Sequence, residues 1–132
     1  MNQPQRLRIL AHRDTSLAVF MVQDMAKLAG LRPIKIAALA TAVSELTTNI
    51  IKYAGHGLVT AQVIEKRYSK GVEVLVQDRG PGIADVEMAM KDHVSTSGTL
   101  GLGLPGTKRM VDEFDLNSKL GEGTQVRVVV WA

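Results

Sequence analysis

Three polar side chains that could bind a metal–phosphate group recur along one helical stretch, "IKIAALATAVSELTTNIIKYA". At helical spacing, Glu45, Asn49 and Lys52 fall within about 60° of one another. A carboxylate can accept a proton, an amide oxygen can bind a hard cation, and a lysine can neutralise phosphate. The alternative is an ordinary solvated helix face. However, asparagine is a poor helix former, and its place in mid-helix favours a specific role.

A second candidate for phosphate binding lies in "GTLGLGLPGTKRM", where Gly101, Gly103 and Gly106 have the spacing G-x-G-x-x-G. In a dinucleotide-binding fold this motif directly follows a strand. Here the preceding residues are "DHVSTSGTL", whose Ser, Thr and Gly content is typical of a loop. The missing strand makes dinucleotide binding the weakest of three alternatives. The other two are a different phosphate loop leading into a helix N-terminus and a tight loop without a ligand.

Two shorter motifs could bind a flat, amine-bearing ligand. Asp78 ends the apolar stretch "VEVLVQD" and is followed by Gly80 and Gly82 in "DRGPGI". An acid there could accept a hydrogen bond from an exocyclic amine, and the glycines would permit close approach of the backbone. The stretch "GEGT" contains Gly123 and Thr124. Taken alone, each motif is better explained as an ordinary turn.

Periodicity and turn residues predict the elements that hold these side chains. Asp14 is the expected N-cap of the first helix, Gly30 is expected to end that helix, and Pro33 is expected to start the second. The face of the second helix that is expected to pack in the core carries Leu39, Val43, Leu46 and Ile50. Met110, Val111 and Phe114 have helical spacing in the third. Strands are predicted over 6–12, 58–66, 71–78, 114–120 and 124–131. Helices are predicted over 15–29 and 34–54, with a short helix over 85–92 and another that begins at Pro105. The strand hairpins imply antiparallel pairs, so we expect an α+β two-layer sandwich: a mixed, mostly antiparallel sheet with helices on one face.

The composition is that of one soluble globular domain spanning 1–132. The chain is 45% hydrophobic and has no cysteine, and no apolar run is expected to span a membrane. The net charge is +3, the basic residues are mixed with acidic ones, and aromatic residues make up 4%. We therefore predict neither nucleic-acid nor membrane partners, and a cytoplasmic location.

Together the motifs follow the order E-x-x-x-N-x-x-K, D-x-G-x-G, G-x-G, G-x-G-T. This order resembles the GHKL ATPase superfamily, which shares the Bergerat nucleotide-binding fold. The resemblance implies ATP and Mg²⁺ as ligands, with Glu45 as the catalytic carboxylate and Asn49 as the magnesium ligand. Asp78 would contact the adenine amine, with Gly80 and Gly82 beneath the ring.

The remaining site residues implied by the resemblance surround the same nucleotide. The three glycines of the loop would close over the triphosphate, and Gly123 and Thr124 would help to form the adenine pocket. Thr107, Lys108 and Arg109 are expected in the first turn of the third helix, near the phosphates. The full nucleotide-binding set is Asn49, Lys52, Asp78, Gly80, Gly82, Gly101, Gly103, Gly106, Thr107, Gly123 and Thr124.

Within the superfamily, 132 residues leave no room for the transducer domain of gyrase-type enzymes. The histidines at 12, 56 and 93 do not lie in a phosphoacceptor helix of the kind that sensor kinases carry. The stretches "STSGTLGLGLPGTKRMVDEF" and "LNSKLGEGTQV" are similar to the serine/threonine kinases of bacterial stressosomes.

That similarity implies phosphorylation of STAS-domain stressosome proteins and, after release, activation of a PP2C-type phosphatase by partner switching. One alternative is an anti-sigma-factor kinase, which sequesters a sigma factor and phosphorylates its antagonist. A second is a non-catalytic, nucleotide-gated binding module. Glu45 favours an enzyme, because a pure binding module has no use for a carboxylate beside the γ-phosphate.

Overall fold

The computed structural model describes residues 3–83, 90 and 103–132. The predicted helix over 85–92, apart from Met90, and the start of the glycine loop lie outside the described residues. In chain order the elements are β1 (Gln5–Ile9), α1 (His12–Leu28), α2 (Pro33–Tyr53), β2 (Gly57–Lys66), β3 (Ser69–Asp78), α3 (Gly103–Met110), β4 (Glu113–Lys119) and β5 (Gly123–Trp131).

The strands form one five-stranded sheet in the order β1-β2-β3-β5-β4. All four pairings among the described strands are antiparallel. The β2–β3 turn is tighter than predicted, because Lys66 pairs with Ser69 and leaves only Arg67 and Tyr68 between the strands. The predicted α+β sandwich is confirmed.

The core lies between one face of the sheet and the two long helices. Alternate strand residues, including Val74 and Val128, are fully buried on that face, as the period of two requires. The predicted core face of α2 is buried, with Leu39 and Val43 fully inaccessible to solvent. Ala18 and Val22 of α1 join the same apolar cluster. One layer of helices therefore covers one side of the sheet.

The apolar composition of α2 has a second consequence. Among the described residues, α2 is long and apolar enough to cross a membrane, judged by length and composition alone. The sequence analysis expected no apolar stretch of this kind. Buried helices of globular cores have the same composition. Because its apolar residues pack into the cluster described above, core packing accounts for the apolarity of α2.

The ends of α1 differ partly from the prediction. Asp14 is not the N-cap: the helix begins at His12, and the Asp14 carboxylate accepts hydrogen bonds from the backbone N–H groups of Leu10, at 2.8 Å, and Ala11, at 3.0 Å. The acid thus satisfies backbone donors at the helix start from within the first turn. The predicted stop at Gly30 is confirmed, with φ of 85° and a hydrogen bond from Leu31 N to Ala26 O.

The third helix is shorter than its pattern suggested. It ends at Met110, and Phe114 lies in β4, where it pairs with Val128 of β5. The cause is competition from the sheet, since the Asp112 carboxylate accepts the N–H of Trp131 at 2.7 Å and begins the strand pairing. Lys108 and Arg109 therefore lie in the last turn of α3 and not, as predicted, in its first turn.

The other face of the sheet carries a network of charged side chains. Arg127 of β5 donates to Glu73 of β3 at 2.7 Å, to Asp115 of β4 at 3.0 Å and to Glu113 of β4 at 3.3 Å. The indole N–H of Trp131 donates to Glu113 at 2.7 Å. These contacts tie the edge strand β4 to the middle of the sheet.

The network shifts the acid–base behaviour of its members. Burial raises the pKa of Glu73, but hydrogen bonds from Gln62 and Arg127 outweigh it, so the net pKa lies below the ordinary 4.5. The Trp131 hydrogen bond is the main cause of the lowered pKa of Glu113. Since both carboxyls bind protons less readily in the folded state, their stabilising effect is complete above about pH 4.5 and is lost as the pH falls through the lowered values.

We predict that Arg127→Met lowers the free energy of unfolding at pH 7, because the hydrogen bonds of Arg127 to its carboxylate partners are lost. The loss should be only about 1 kcal/mol, because the partly exposed Glu73–Arg127 pair is screened by water. The deficit should shrink at pH 4, where the uncompensated acids can take up protons. Urea unfolding midpoints at the two pH values measure this. Arg6→Met, an exposed arginine on β1, is the control, and an equal deficit at both pH values would contradict the prediction.

Candidate functional site

Two predicted motifs, one at Asp78 and one at Thr124, meet at one end of the sheet. Across β2, β3, β5 and β4, the residues Gly57, Asp78, Thr124 and Ser118 are direct cross-strand neighbours, and we call them the terminal row. Two positions further into each strand lie Val59, Val76, Val126 and Leu116, which belong to the core face. Residues two apart on a strand share a face, so the terminal row points toward the helix layer. It places polar groups directly beside an apolar floor.

Asp78 is held in one orientation by the turn that follows it. Its Oδ1 accepts a hydrogen bond from the backbone N–H of Gly80 at 2.8 Å. Within the described residues, no hydrogen bond involves Oδ2. A fixed carboxylate with one engaged oxygen can present the other as an acceptor to a ligand.

The motif glycines are required by contacts between backbone segments. A Cβ on Gly123, whose φ is 105°, would collide with the carbonyl oxygen of Asp78. A Cβ on Gly82, whose φ is 76°, would collide with the carbonyl oxygen of Lys119. A hydrogen bond of 2.7 Å from Gly121 N to Pro81 O joins the same two turns. That Gly82 lies beneath a ligand ring stays a prediction. The contact with the Lys119 carbonyl is enough by itself to require a glycine at this position.

Ser118 is a site residue that the motifs did not reveal. Its hydroxyl accepts the N–H of Ile83 at 2.8 Å and lies 2.8 Å from the hydroxyl of Thr124 and 3.1 Å from the carbonyl oxygen of Gly123. The turn after Asp78 and the start of β5 are therefore joined through one side chain. The signal in the sequence was the hairpin around "GEG", whose register places Ser118 opposite Thr124.

The end of α2 lies against the terminal row. A Cβ on Gly57 would come within 2.8 Å of Ile50, and one on Gly80 would come within 2.6 Å of the Cβ of Ala54. Along the helix axis, Asn49 is about 7.5 Å and Glu45 about 13.5 Å from Ala54. The predicted polar stripe of α2 (Glu45, Asn49 and Lys52) thus begins beside the row and runs away from it.

All three residues of the polar stripe are half-buried, so the stripe is less exposed than a fully solvated helix face. The Lys52 ammonium lies 5.1 Å from the centre of the Tyr53 ring. No cluster of three His, Asp or Glu side chains suited to a metal occurs within residues 3–83, 90 and 103–132. Magnesium usually keeps several waters and takes one or two protein ligands together with substrate phosphates, so an amide and a carboxylate on one helix face fit it.

The predicted phosphate loop is only partly described, because Gly101 lies outside the described residues. Gly103, with φ of 67°, begins α3, and Pro105 lies in its first turn. Gly106 and Thr107 are buried, and the Thr107 hydroxyl donates to the carbonyl of Gly103 at 3.0 Å. This engagement favours a structural role for the Thr107 side chain within the helix.

A cavity of about 660 Å³ opens at the same end of the sheet. Its walls include Arg8, Gln77, Asn117 and Gln125, which form a row on the face away from the helices. The same cavity is also lined by all four residues of the terminal row and by Gly123. It therefore adjoins the predicted base-binding residues, whereas Gly101 of the predicted phosphate loop lies outside the described residues.

The family assignment agrees with this geometry. Residues 10–130 match the histidine kinase-like ATPase domain. The chain belongs to this family. It is 42% identical over 131 residues to the serine/threonine-protein kinase RsbT of Bacillus subtilis, covering 99% of this chain and 98% of that one. It is also 35% identical over 100 residues to an anti-sigma F factor of Caldanaerobacter subterraneus, covering 71% of this chain and 68% of that one.

Solved structures show the same fold at low sequence identity. The RsbU and RsbW domains of a Mycobacterium tuberculosis protein match 97% of this chain and 32% of theirs, with a TM-score of 0.66 and 17% identity. A mycobacterial sensor histidine kinase, MprB, matches 98% of this chain and 97% of its own, with a TM-score of 0.57 and 16% identity. The predictions of the superfamily, of the fold and of a serine/threonine protein kinase that uses ATP are confirmed at this level. The roles of individual residues stay predictions.

We predict that Asp78→Asn weakens ATP binding about ten- to hundredfold, because a hydrogen bond to a charged acceptor is lost and an amide donor can face the adenine amine. Titration calorimetry with ATP and GTP measures the effect. GTP should bind the wild type weakly, since its ring has a carbonyl at the corresponding position.

Asp24→Asn is the matched control, because Asp24 is an exposed acid on α1. Equal affinity of the wild type for ATP and GTP would contradict the assignment of Asp78 to the base.

Proposed function

We propose that the chain transfers the γ-phosphate of ATP to a serine or threonine of a STAS-domain protein. The observation that carries this proposal is the placement of Asp78 and Thr124 in one row beside the α2 helix that bears Glu45 and Asn49. Similarity to a serine/threonine kinase over 99% of the chain supports the type of acceptor.

The base of the nucleotide would lie at the terminal row. Its ring would pack on the apolar floor beside Val76 and Val126, and its amine would donate to Asp78 Oδ2. The ribose and phosphates would then extend along α2 toward Asn49 and Glu45. This direction follows from the contacts of Ile50 with Gly57 and of Ala54 with Gly80, which fix the near end of the polar stripe.

Transfer requires a deprotonated hydroxyl and a stabilised leaving group. Glu45 would accept the proton of the attacking serine or threonine as its oxygen bonds to the γ-phosphorus. The bond from that phosphorus to the β–γ bridging oxygen breaks, and ADP leaves with the electron pair. Bound magnesium would supply charge neutralisation at the phosphates, with Asn49 as its protein ligand. Lys52 would add positive charge.

The start of α3 would contribute backbone donors to the phosphates. The first N–H groups of a helix have no partner within the helix, and the helix dipole favours anions there. The burial of Gly106 and Thr107, together with the packing of α3 on α2, fixes this helix start relative to the polar stripe.

The proposed setting is the bacterial cytoplasm, within a stressosome and without nucleic-acid or membrane partners. After release from its STAS substrate, the kinase would bind and activate a PP2C-type phosphatase.

The anti-sigma alternative rests on the similarity to anti-sigma F factors. The similarity to the Caldanaerobacter subterraneus factor covers 71% of this chain, whereas the similarity to the serine/threonine kinase covers 99% of it. A non-catalytic module would need no acid at Glu45.

A surface for exchanging partners is available on α1. Among the larger apolar side chains of α1, Met25 is buried and Met21 is half-buried, whereas Leu17 is 52%, Phe20 64% and Leu28 84% exposed. These three exposed residues, here called the apolar stripe of α1, lie on one side of the helix. They would be the contact for the phosphatase.

We predict that Glu45→Gln retains ATP binding but lowers the rate of phosphate transfer about 10²–10⁴-fold, the usual contribution of a general base. Asn49→Ala should lose both magnesium-dependent ATP binding and transfer. Calorimetry and transfer to a purified STAS protein separate the two effects. Thr41→Ala, an exposed position on α2, is the control. Normal transfer by the Glu45 variant would reject Glu45 as the base.

We also predict that phosphatase activation needs the α1 surface but no phosphate transfer. Glu45→Gln should stimulate a PP2C-type phosphatase as the wild type does, whereas Phe20→Ser should reduce stimulation at least tenfold without changing ATP affinity. Tyr68→Ser, at the fully exposed β2–β3 turn, is the control. If the wild type binds a sigma factor and stimulates no phosphatase, the anti-sigma alternative is correct.

A further inference from the structure

The hydrogen bonds around Ser118 constrain the direction of the bond between Ser118 and Thr124. The N–H of Ile83 can only donate to Ser118 Oγ, and the carbonyl of Gly123 can only accept from it. Ser118 has one proton. If that proton goes to Gly123 at 3.1 Å, the 2.8 Å contact with Thr124 must be donated by Thr124.

This arrangement is the one that satisfies every contact. A hydroxyl has one donor and two acceptor lone pairs, and Ser118 then uses all three: it accepts from Ile83 and Thr124 and donates to Gly123. In the reverse arrangement Ser118 donates to Thr124, and its contact with the Gly123 carbonyl is not a hydrogen bond. Ser118 and Gly123 are part-buried and buried, so an unmade bond is costly there.

We propose that Ser118 is a positioning residue that selects the base by holding Thr124 as a pure hydrogen-bond acceptor. With its only proton committed to Ser118, Thr124 Oγ1 has only lone pairs to offer a ligand. It is the direct cross-strand neighbour of Asp78, whose Oδ2 is also an acceptor. The inference rests on the proposed ATP site and assigns the source of its selectivity.

Two adjacent acceptors recognise a particular class of ring. A 6-aminopurine presents an exocyclic amine with two N–H donors, one for each acceptor. A 6-oxopurine presents a carbonyl oxygen at that position, which both acceptors repel. Without Ser118, the Thr124 hydroxyl can rotate and donate, so a 6-oxopurine gains a partner on one of the two sides.

The test is calorimetric titration of Ser118→Ala and Ser118→Cys with Mg-ATP and with Mg-GTP. Both variants remove the strong hydroxyl, and cysteine nearly preserves its volume. We expect the ratio of ATP affinity to GTP affinity to fall about three- to tenfold in both, mainly through tighter GTP binding, as for a single hydrogen bond. Ser118→Thr, which keeps a hydroxyl, should restore the wild-type ratio. Asn117→Ala, an exposed neighbour, is the control.

The possible results distinguish a failure of the proposed function from a failure of the role assigned to Ser118. If the wild type binds neither nucleotide, the proposed function fails. If the wild type prefers ATP and Ser118→Cys keeps that preference, or if both affinities fall together, Ser118 is only a packing residue and the inference is overturned. Circular dichroism verifies folding. If Ser118→Ala unfolds, the folded Ser118→Cys protein decides the question.

Discussion

Two turns at one end of the sheet pack backbone against backbone, and the site depends on that contact. Gly82 lies against the carbonyl of Lys119, and Gly123 lies against the carbonyl of Asp78, so neither position can carry a Cβ without moving main-chain atoms. Ser118 joins the same segments through its hydroxyl. Because the contact involves main chain on both sides, side-chain motion cannot relieve it. Asp78 therefore keeps a fixed position relative to Thr124.

The second helix connects this fixed end to the proposed chemistry. One side of α2 supplies Leu39, Val43 and Ile50 to the core, while the polar stripe occupies another side of the same helix. Core packing therefore sets the rotation of the helix about its axis, and the contacts of Ile50 and Ala54 with Gly57 and Gly80 set its position along that axis. The cost of burying polar groups in the stripe is met by core packing elsewhere on the helix.

Much of the fold was predictable, because periodicity and turn residues are local signals. The core face of α2 and the glycine stop of α1 followed from spacing alone. The errors arose where tertiary contacts override local preference. Pairing with β5 draws Phe114 into a strand, and Asp14 caps donors that precede it in the chain. Ser118 was missed because its partners, Ile83 and Thr124, depend on strand register and on a long-range turn contact, which no motif contains.

The two-layer architecture also separates the proposed activities in space. The proposed nucleotide recognition lies at the end of β3 and β5, whereas the apolar stripe of α1 lies on the outer surface of the helix layer. The helix between them is α2, which packs against α1 and also contacts the terminal row. A change in nucleotide state that moved α2 would act on α1 through a packed apolar interface, which transmits displacement because it is close-packed. Direct steric competition is not required, since a partner bound on α1 need not cover Asp78. The same helix can therefore serve both phosphate transfer and partner exchange.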